Sequence, residues 1–523
     1  MSQPTEPSLP QGAPEYVQGE STPPQGWMTC QGCGYALNGL PPEIRRCPEC
    51  GRGFDPNDPL TMGGPLPASR TRSVLAWVVL LALIVGVMVM QAMKPGTPAP
   101  GALPDPSKVT SPTLKVLGRV GIGMERYASG SASTRQMVER EQRKLLQQLD
   151  DAAVGVIEEM RIVPLAAWFV DTDEALARLD MVELDLSRLP AADPDLEQDA
   201  AMLRTLLTEG SDALGVAERD ELLKRHGWFA EVAVALDSPD TDPRRQELQR
   251  QGFAAVMTLV GAGVTVLVAL LTGFVLLIMM LVNIESPWMR RRYLLDRHAA
   301  GPGLTPYVET VAIFLAGFVL VQLLALLIHT LTSIDLGYVL TWSLLGVALW
   351  PLARGVPWER LRRALGWHRG QGIMKEVFCG VVGYLAGLPL VALSFVLSFI
   401  LIAIFNSKPT HPVVDELANP TLWKVLAMYS LATLWAPIVE ETIFRGAFHH
   451  HLRGRLPAVL AAMVSGLVFA IIHPQGITLV PPLMMLGVVF ALIREWRGSL
   501  IGPMVAHAMH NGFLVTMMVV LFS

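Results

Sequence analysis

The chain has 523 residues, of which 51% are hydrophobic and only 17% charged, and its mean hydropathy is +0.40. That composition excludes an ordinary soluble globular protein and implies an integral membrane protein with soluble parts. The net charge of −5 hides a segregation: residues 95–250 hold 28 acidic and 18 basic side chains, a balance of −10, so the rest of the chain carries an excess of five positive charges. Four of the five cysteines lie in one cluster, which argues against a disulfide framework.

Residues 1–26 are polar and rich in proline and glutamine, with no apolar core of a signal peptide, and read as a disordered tail. Cys30-Gln31-Gly32-Cys33 is followed after thirteen residues by Cys47-Pro48-Glu49-Cys50. Two such pairs supply four thiolates for a tetrahedral metal, and a glycine after each pair suits the tight turn around it. Residues 27–56 therefore resemble a zinc ribbon whose structural zinc would supply most of the folding energy of so short a module. Redox thiols or a vestigial site are the alternatives.

Residues 73–93 are uncharged and long enough to span a bilayer, with Arg70 and Arg72 before them, which places the ribbon and the N-terminus in the cytoplasm. The acidic segment 97–250 shows helical apolar spacing, as at Leu145, Leu146, Leu149, Val154, Val156 and Ile157, with turn signals at Pro190 and Pro194. It is expected to be a helical, extracytoplasmic soluble domain without a catalytic motif. A second span, 252–284, ends at Arg290, Arg291, Arg292 and Arg297. Further apolar spans fall at 310–334, 336–352, 377–405, 422–439, 457–472, 477–493 and 500–522, so the expected fold is an all-α polytopic membrane protein with about nine transmembrane helices. Alternating these spans puts Arg354, Arg360, Arg362, Arg363, Arg369, Arg453, Arg455, Arg494 and Arg497 on the cytoplasmic side. Segment 356–375, with Trp358, Leu361, Leu365 and Trp367 among its basic residues, reads either as a short interfacial helix or as an ordinary positive-inside loop.

The most informative run is Pro437-Ile438-Val439-Glu440-Glu441-Thr442-Ile443-Phe444-Arg445-Gly446. Charges inside an apolar span are costly and by default functional. Glu441 and Arg445 are four apart and can pair on one helix face, while Glu440 lies about 100° round the helix and stays without that partner. Two more spans carry polar groups: Phe469-Ala470-Ile471-Ile472-His473, and His507-Ala508-Met509-His510-Asn511, where His507 and Asn511 share a face. These residue types serve proton transfer and oxyanion stabilisation, or ligate metals. The run His449-His450-His451 cannot chelate one ion, because consecutive helical residues diverge; it reads as a solvated cytoplasmic helix end, with His449 able to extend the Glu441 and Arg445 face. Cys379 reads as a small apolar helix residue.

Depth decides whether these groups can meet. At 1.5 Å per residue, a helix continuing from Glu440 to Arg453 descends about 20 Å, the next helix brings His473 back up about 25 Å, and His507 rises about 15 Å from Arg497. The groups are level only if one long helix runs from about Leu422 to Arg453.

Glu-Glu-x-x-x-Arg, Phe-x-x-x-His and His-x-x-x-Asn, each on its own span and in this order, resemble the CPBP family (also called ABI) of membrane-embedded proteases, typified by the Ras-converting CAAX prenyl endopeptidase. The stretches "APIVEETIFRGAFHHHL", "SGLVFAIIH" and "GSLIGPMVAHAMHNGF" carry the likeness, which is firm from about residue 422 and extends back to 306, making 306–523 the protease-like core. The resemblance implies that Glu440 is the general base, assisted by His473; that His507 and Asn511 stabilise the oxyanion; and that Glu441 with Arg445 holds the helix. It implies a membrane-embedded or lipid-linked peptide substrate, cleaved by an enzyme set in the lipid bilayer of a bacterial plasma membrane. Catalysis without metal and catalysis with zinc both stay open, since one Glu, two His and an Asn could hold zinc although no HExxH spacing is present. The ribbon or the acidic domain could bind a protein partner, and no nucleic acid is expected. The competing readings are a catalytically silent membrane scaffold or immunity protein that keeps the same helices, and a proton-relaying transporter, against which the absence of an inverted repeat speaks.

Overall fold

The computed structural model describes residues 70–92, 111–188 except 129, 194–283, 305–332, 336–405, 421–473 and 475–522, with residues 106 and 109 and scattered positions between 30 and 55. The expected disordered tail, residues 93–105, and Arg290, Arg291, Arg292 and Arg297 lie outside the described residues.

Among the described residues the long elements are all helices. α1 (Arg70–Ala92) is the first span, and α2 to α8 make the acidic segment: Pro112–Ala128, Ala132–Ala152, Val156–Phe169, Thr172–Ser187, Pro194–Thr208, Val216–His226 and Trp228–Val234. α9 (Pro243–Val282) is followed by α10 (Thr305–Thr332), α11 (Gly337–Ala353), α12 (Trp358–Leu365) and α13 (Ile373–Phe405). α14 (Leu422–Arg453), α15 (Ala458–Ile471), α16 (Ile477–Arg497) and α17 (Ile501–Phe522) complete the chain.

Seven of these helices are long and apolar enough to cross a membrane: α1, α9, α10, α13, α14, α16 and α17. The other two expected spans are the shorter apolar helices α11 and α15. α15 has only 14 residues, about 21 Å at 1.5 Å per residue, which is short of a bilayer's hydrocarbon thickness. The sequence pattern finds apolar runs, but Gly454 and Arg455 before α15 and the break at His473 after it limit its length. The long helix required by the depth argument is present as the 32-residue α14.

The acidic segment folds around its own core, in which Leu149, Met160, Leu165, Leu179, Leu196 and Leu222 are fully or almost fully buried. Its link to the membrane is α9, 40 residues that start in the domain behind the cap of Asp242, whose carboxylate accepts from Arg244 N at 2.7 Å. At about 60 Å this helix outruns the bilayer, so domain and span are one continuous rod. α2 crosses α9 at glycines: a Cβ on Gly252 would lie 2.5 Å from Gly123 N, a backbone approach only glycine permits. The far end of α17 joins them, since Arg119 Nη1 donates to Leu521 O at 3.2 Å. The acidic domain thus sits at the end of the bundle opposite Arg453, Arg494 and Arg497.

In segment 27–56, Cys30 and Cys47 are buried together with Leu37 and Phe54. Arg46 and Gly53 form an isolated antiparallel bridge, with Phe54 N donating to Arg45 O at 2.8 Å. Cys33 and Cys50 lie outside the described residues.

Candidate active site

α14 positions the central residues, and it is not a regular α-helix. Along Leu431–Trp435 and again along Glu441–Phe448 its main-chain N–H groups reach five residues back instead of four. Such widened turns recur at functional sites. The first has a cause in the sequence. Ala436 N–H donates to Leu431 O, and the next donor in that register would be residue 437, a buried proline with no N–H. Ala432 O is left without a main-chain donor in either register, and Asn511 Nδ2 on α17 donates to it at 2.9 Å. The side chain that the family resemblance assigns to an oxyanion is therefore also the clamp of a proline-widened turn.

Glu441 and Arg445 pair as their spacing requires, with Nη1 donating to Oε1 at 2.9 Å and both side chains fully buried. Arg445 also donates through Nη2 to Gly487 O at 3.3 Å. Its guanidinium lies over the rings of Phe469 (4.4 Å) and Phe490 (5.2 Å). This closeness depends on two further glycines, because a Cβ on Gly487 would sit 2.7 Å from the Cα of Gly466. A buried charge is tolerable only when paired and hydrogen-bonded in this way.

Glu441 has a second partner. His507 Nδ1 lies 2.8 Å from the same Oε1, and the His507 ring stacks on Phe490 at 5.1 Å. With Glu441 ionised against Arg445, Nδ1 carries the proton and donates, which leaves Nε2 as an acceptor. His473 is fixed in the same way: its Nδ1 donates to Phe469 O one turn back, and its Nε2 is the outward atom.

Both Nε2 atoms face Glu440, each 3.9 Å from Oε2. The side chain of Glu440 is 15% exposed, yet Oε2 is buried and makes no hydrogen bond. Four residues from two helices and one adjoining turn thus converge: Glu440 and Glu441 from α14, His473 just after α15, and His507 from α17. Among the described residues, no group of three or more His, Cys, Asp or Glu side chains is arranged to hold a metal ion.

The histidine run departs from the expected solvated helix end. His449 and His451 are buried, His449 Nε2 lies 2.9 Å from Glu495 Oε1, and Arg453 Nε donates to the same oxygen at 2.7 Å. The rings of Trp77 on α1 and His451 are 5.7 Å apart. Sequence reasoning missed this network because Glu495 lies on another helix, 46 residues from His449. Segment 356–375 is more than a loop: α12 buries Leu361 and Leu365, and Trp367 Nε1 donates to Thr442 Oγ1 at 3.1 Å, docking the segment on α14 beside the glutamates. The unusual signals that could have pointed to these contacts are Pro437 inside an apolar run and two tryptophans in a basic stretch.

A family model described as "Type II CAAX prenyl endopeptidase Rce1-like" matches residues 422–513, which include every site residue named above on α14, α15 and α17. The chain is also similar to the membrane-embedded CAAX protease MroQ of Staphylococcus aureus (strain USA300), at 29% identity over 126 residues, covering 23% of this chain and 50% of the relative. The chain thus spans about half the length of that curated relative. No solved structure matches. Together the two matches support the CPBP family and a membrane protease.

Proposed function

We propose that the chain is an intramembrane endopeptidase that uses Glu440 to activate water. The observation that carries this reading is the buried, unbonded Oε2 of Glu440 with two imidazole Nε2 atoms at 3.9 Å. That spacing is too long for a direct hydrogen bond, and a water oxygen about 2.8 Å from the carboxylate and from one ring fits between them at an angle of roughly 90°. Glu440 takes one proton of this water, and the oxygen attacks the carbonyl carbon of a peptide bond. The proton then passes from Glu440 to the departing nitrogen as the C–N bond breaks, giving a carboxylate and an amine.

Whichever of His473 and His507 the water lies against orients it by accepting its second hydrogen at an unprotonated Nε2. A role for His507 as donor to the oxyanion needs a proton at Nε2, because Nδ1 is committed to Glu441. Asn511 has a second N–H beyond the one on Ala432 O, and this is the neutral donor available to the oxyanion. Glu441 and Arg445 hold the rings and α14 in place. The substrate class is a peptide bond of a membrane-embedded or lipid-linked chain, reached from the end of the bundle that carries the arginines, which we assign to the cytoplasm of a bacterial plasma membrane. The acidic domain is then extracytoplasmic.

We also assign a structural zinc to Cys30, Cys33, Cys47 and Cys50. The two described thiols, 17 positions apart, are gathered into one buried cluster near the isolated antiparallel bridge between Arg46 and Gly53, which suits a four-thiolate site. The metal would supply folding energy to that module.

The test is purified Glu440→Gln protein in proteoliposomes with a membrane peptide substrate. Cleavage should fall to background while the protein remains folded; cleavage at the wild-type rate would remove Glu440 from the chemistry.

A further inference from the structure

At the arginine-rich end of the bundle lies a cavity of about 660 Å³, lined by Arg362, Gly366, Trp367, His368, Arg369, Leu500, Ile501 and Met504. We propose that this cavity binds an anionic phospholipid, its phosphate held by Arg362 and Arg369 and an acyl chain laid along Leu500, Ile501 and Met504.

Three observations converge on that occupant. The lining divides into a cationic wall and an apolar wall, and contains no acidic side chain. An amphiphile with an anionic head suits both walls, whereas a soluble anion leaves the apolar one bare and a neutral lipid brings no counter-charge to the cationic one. Arg362 lies 3.0 Å from Glu359, a carboxylate that Arg363 also contacts at 2.9 Å, and Arg369 is exposed at the rim. The nearby Arg494 adds to the same field, and its guanidinium would meet a Cβ placed on Gly366 at 2.7 Å. Burial, and after it the charges of Arg494 and Arg362, lower the pKa of His368.

Position supplies the second observation. The cavity opens where α13 and α17 begin and α16 ends, all three long and apolar enough to span. That is the level of the lipid head groups rather than of bulk solvent. α12 is built for this level, with Leu361 and Leu365 buried, Arg362 and Arg363 on its other side, and Trp358 half exposed.

The third observation is the rigidity of the frame, which makes a site rather than a loose basic patch. Gly366 turns at a φ of 85°, Leu500 N donates to Gly366 O at 3.1 Å, Ser499 Oγ donates to His368 O at 2.7 Å, and Arg494 Nη2 donates to Ala364 O at 3.1 Å. Trp367 joins this frame to Thr442, and Met504 stands one turn before His507. Lipid in the cavity therefore packs against α17, which carries His507, and against Trp367, which is bonded to α14.

Binding does not require that the chain cleave anything, so it is measured on full-length wild-type and Glu440→Gln proteins alike. Native mass spectrometry from micelles supplemented with phosphatidylglycerol or phosphatidylcholine should show retained phosphatidylglycerol on both proteins and no retained phosphatidylcholine. Arg362→Gln with Arg369→Gln should weaken phosphatidylglycerol binding roughly 30-fold, from the loss of two cationic contacts. Met504→Trp, which fills the apolar wall without touching a charge, should reduce occupancy as well. Equal phosphatidylglycerol retention by the double arginine variant, or equal retention of both lipids by the wild type, would overturn the proposal. So would displacement of the lipid by free inorganic phosphate alone, which would identify a simple anion site.

Discussion

The clamp between Asn511 and Ala432 makes a prediction that separates structural from catalytic work by one side chain. Asn511→Leu removes the Nδ2 donor at nearly constant size, and Ala432 O, which has no N–H from Ala436 or Pro437, becomes an unsatisfied, partly buried carbonyl. Such an orphan costs about 1–3 kcal/mol. Pro437→Ala supplies a main-chain N–H in the register that Ala432 O lacks, so the same Asn511→Leu change in that background should cost at least about 1 kcal/mol less. The four proteins are compared by reversible unfolding in mixed micelles titrated with dodecyl sulfate, and by peptide cleavage. Stability is expected to recover in the double variant while cleavage stays low, because the oxyanion donor is still missing. An identical stability loss in both backgrounds would refute the clamp, and recovery of cleavage together with stability would refute the catalytic part.

Glu441→Gln keeps the shape of the side chain but leaves the fully buried Arg445 without its counter-charge, and should destabilise the protein by about 3–5 kcal/mol in the same assay. Adding Arg445→Met should recover much of that loss without restoring cleavage. Gly252→Ala puts a Cβ 2.5 Å from Gly123 N and 2.6 Å from Arg119 O, main-chain atoms that cannot swing aside, and should cost about 1–3 kcal/mol and loosen the acidic domain in hydrogen exchange. Burial and the neighbouring Arg119 depress Lys115 to about 8. The unfolded chain therefore binds more protons than the folded one between about pH 8 and its ordinary value near 10.4, and this group's contribution to stability rises with pH across that window. Lys115→Met should remove the rise and stabilise the protein at pH 7; an unchanged pH profile would show that Lys115 is not the group responsible.

Much of this molecule could be read along one dimension. Apolar runs located the spans, since a bilayer demands about twenty apolar residues whatever the neighbours are. The four-residue step from Glu441 to Arg445 fixed their pairing, and depth counting required the 32-residue α14 before any contact was known. Lengths were less legible: α11 and α15 are as apolar as the others but too short, because helix ends are set by local breaks. What only the tertiary structure decided is which atoms each side chain spends. His507 was visible as a histidine beside a motif, but its Nδ1 is committed to Glu441, and that contact across 66 residues sets which nitrogen faces Glu440. Asn511 could be placed on the same face as His507, yet its partner is a carbonyl exposed by a proline on another helix. The buried histidines 449 and 451, the Trp367 bond to Thr442 and the cavity beside it belong to the same class. Spacing within a helix follows from covalent geometry, whereas hydrogen-bond partners between helices depend on how the helices pack, and no periodicity in the chain encodes that.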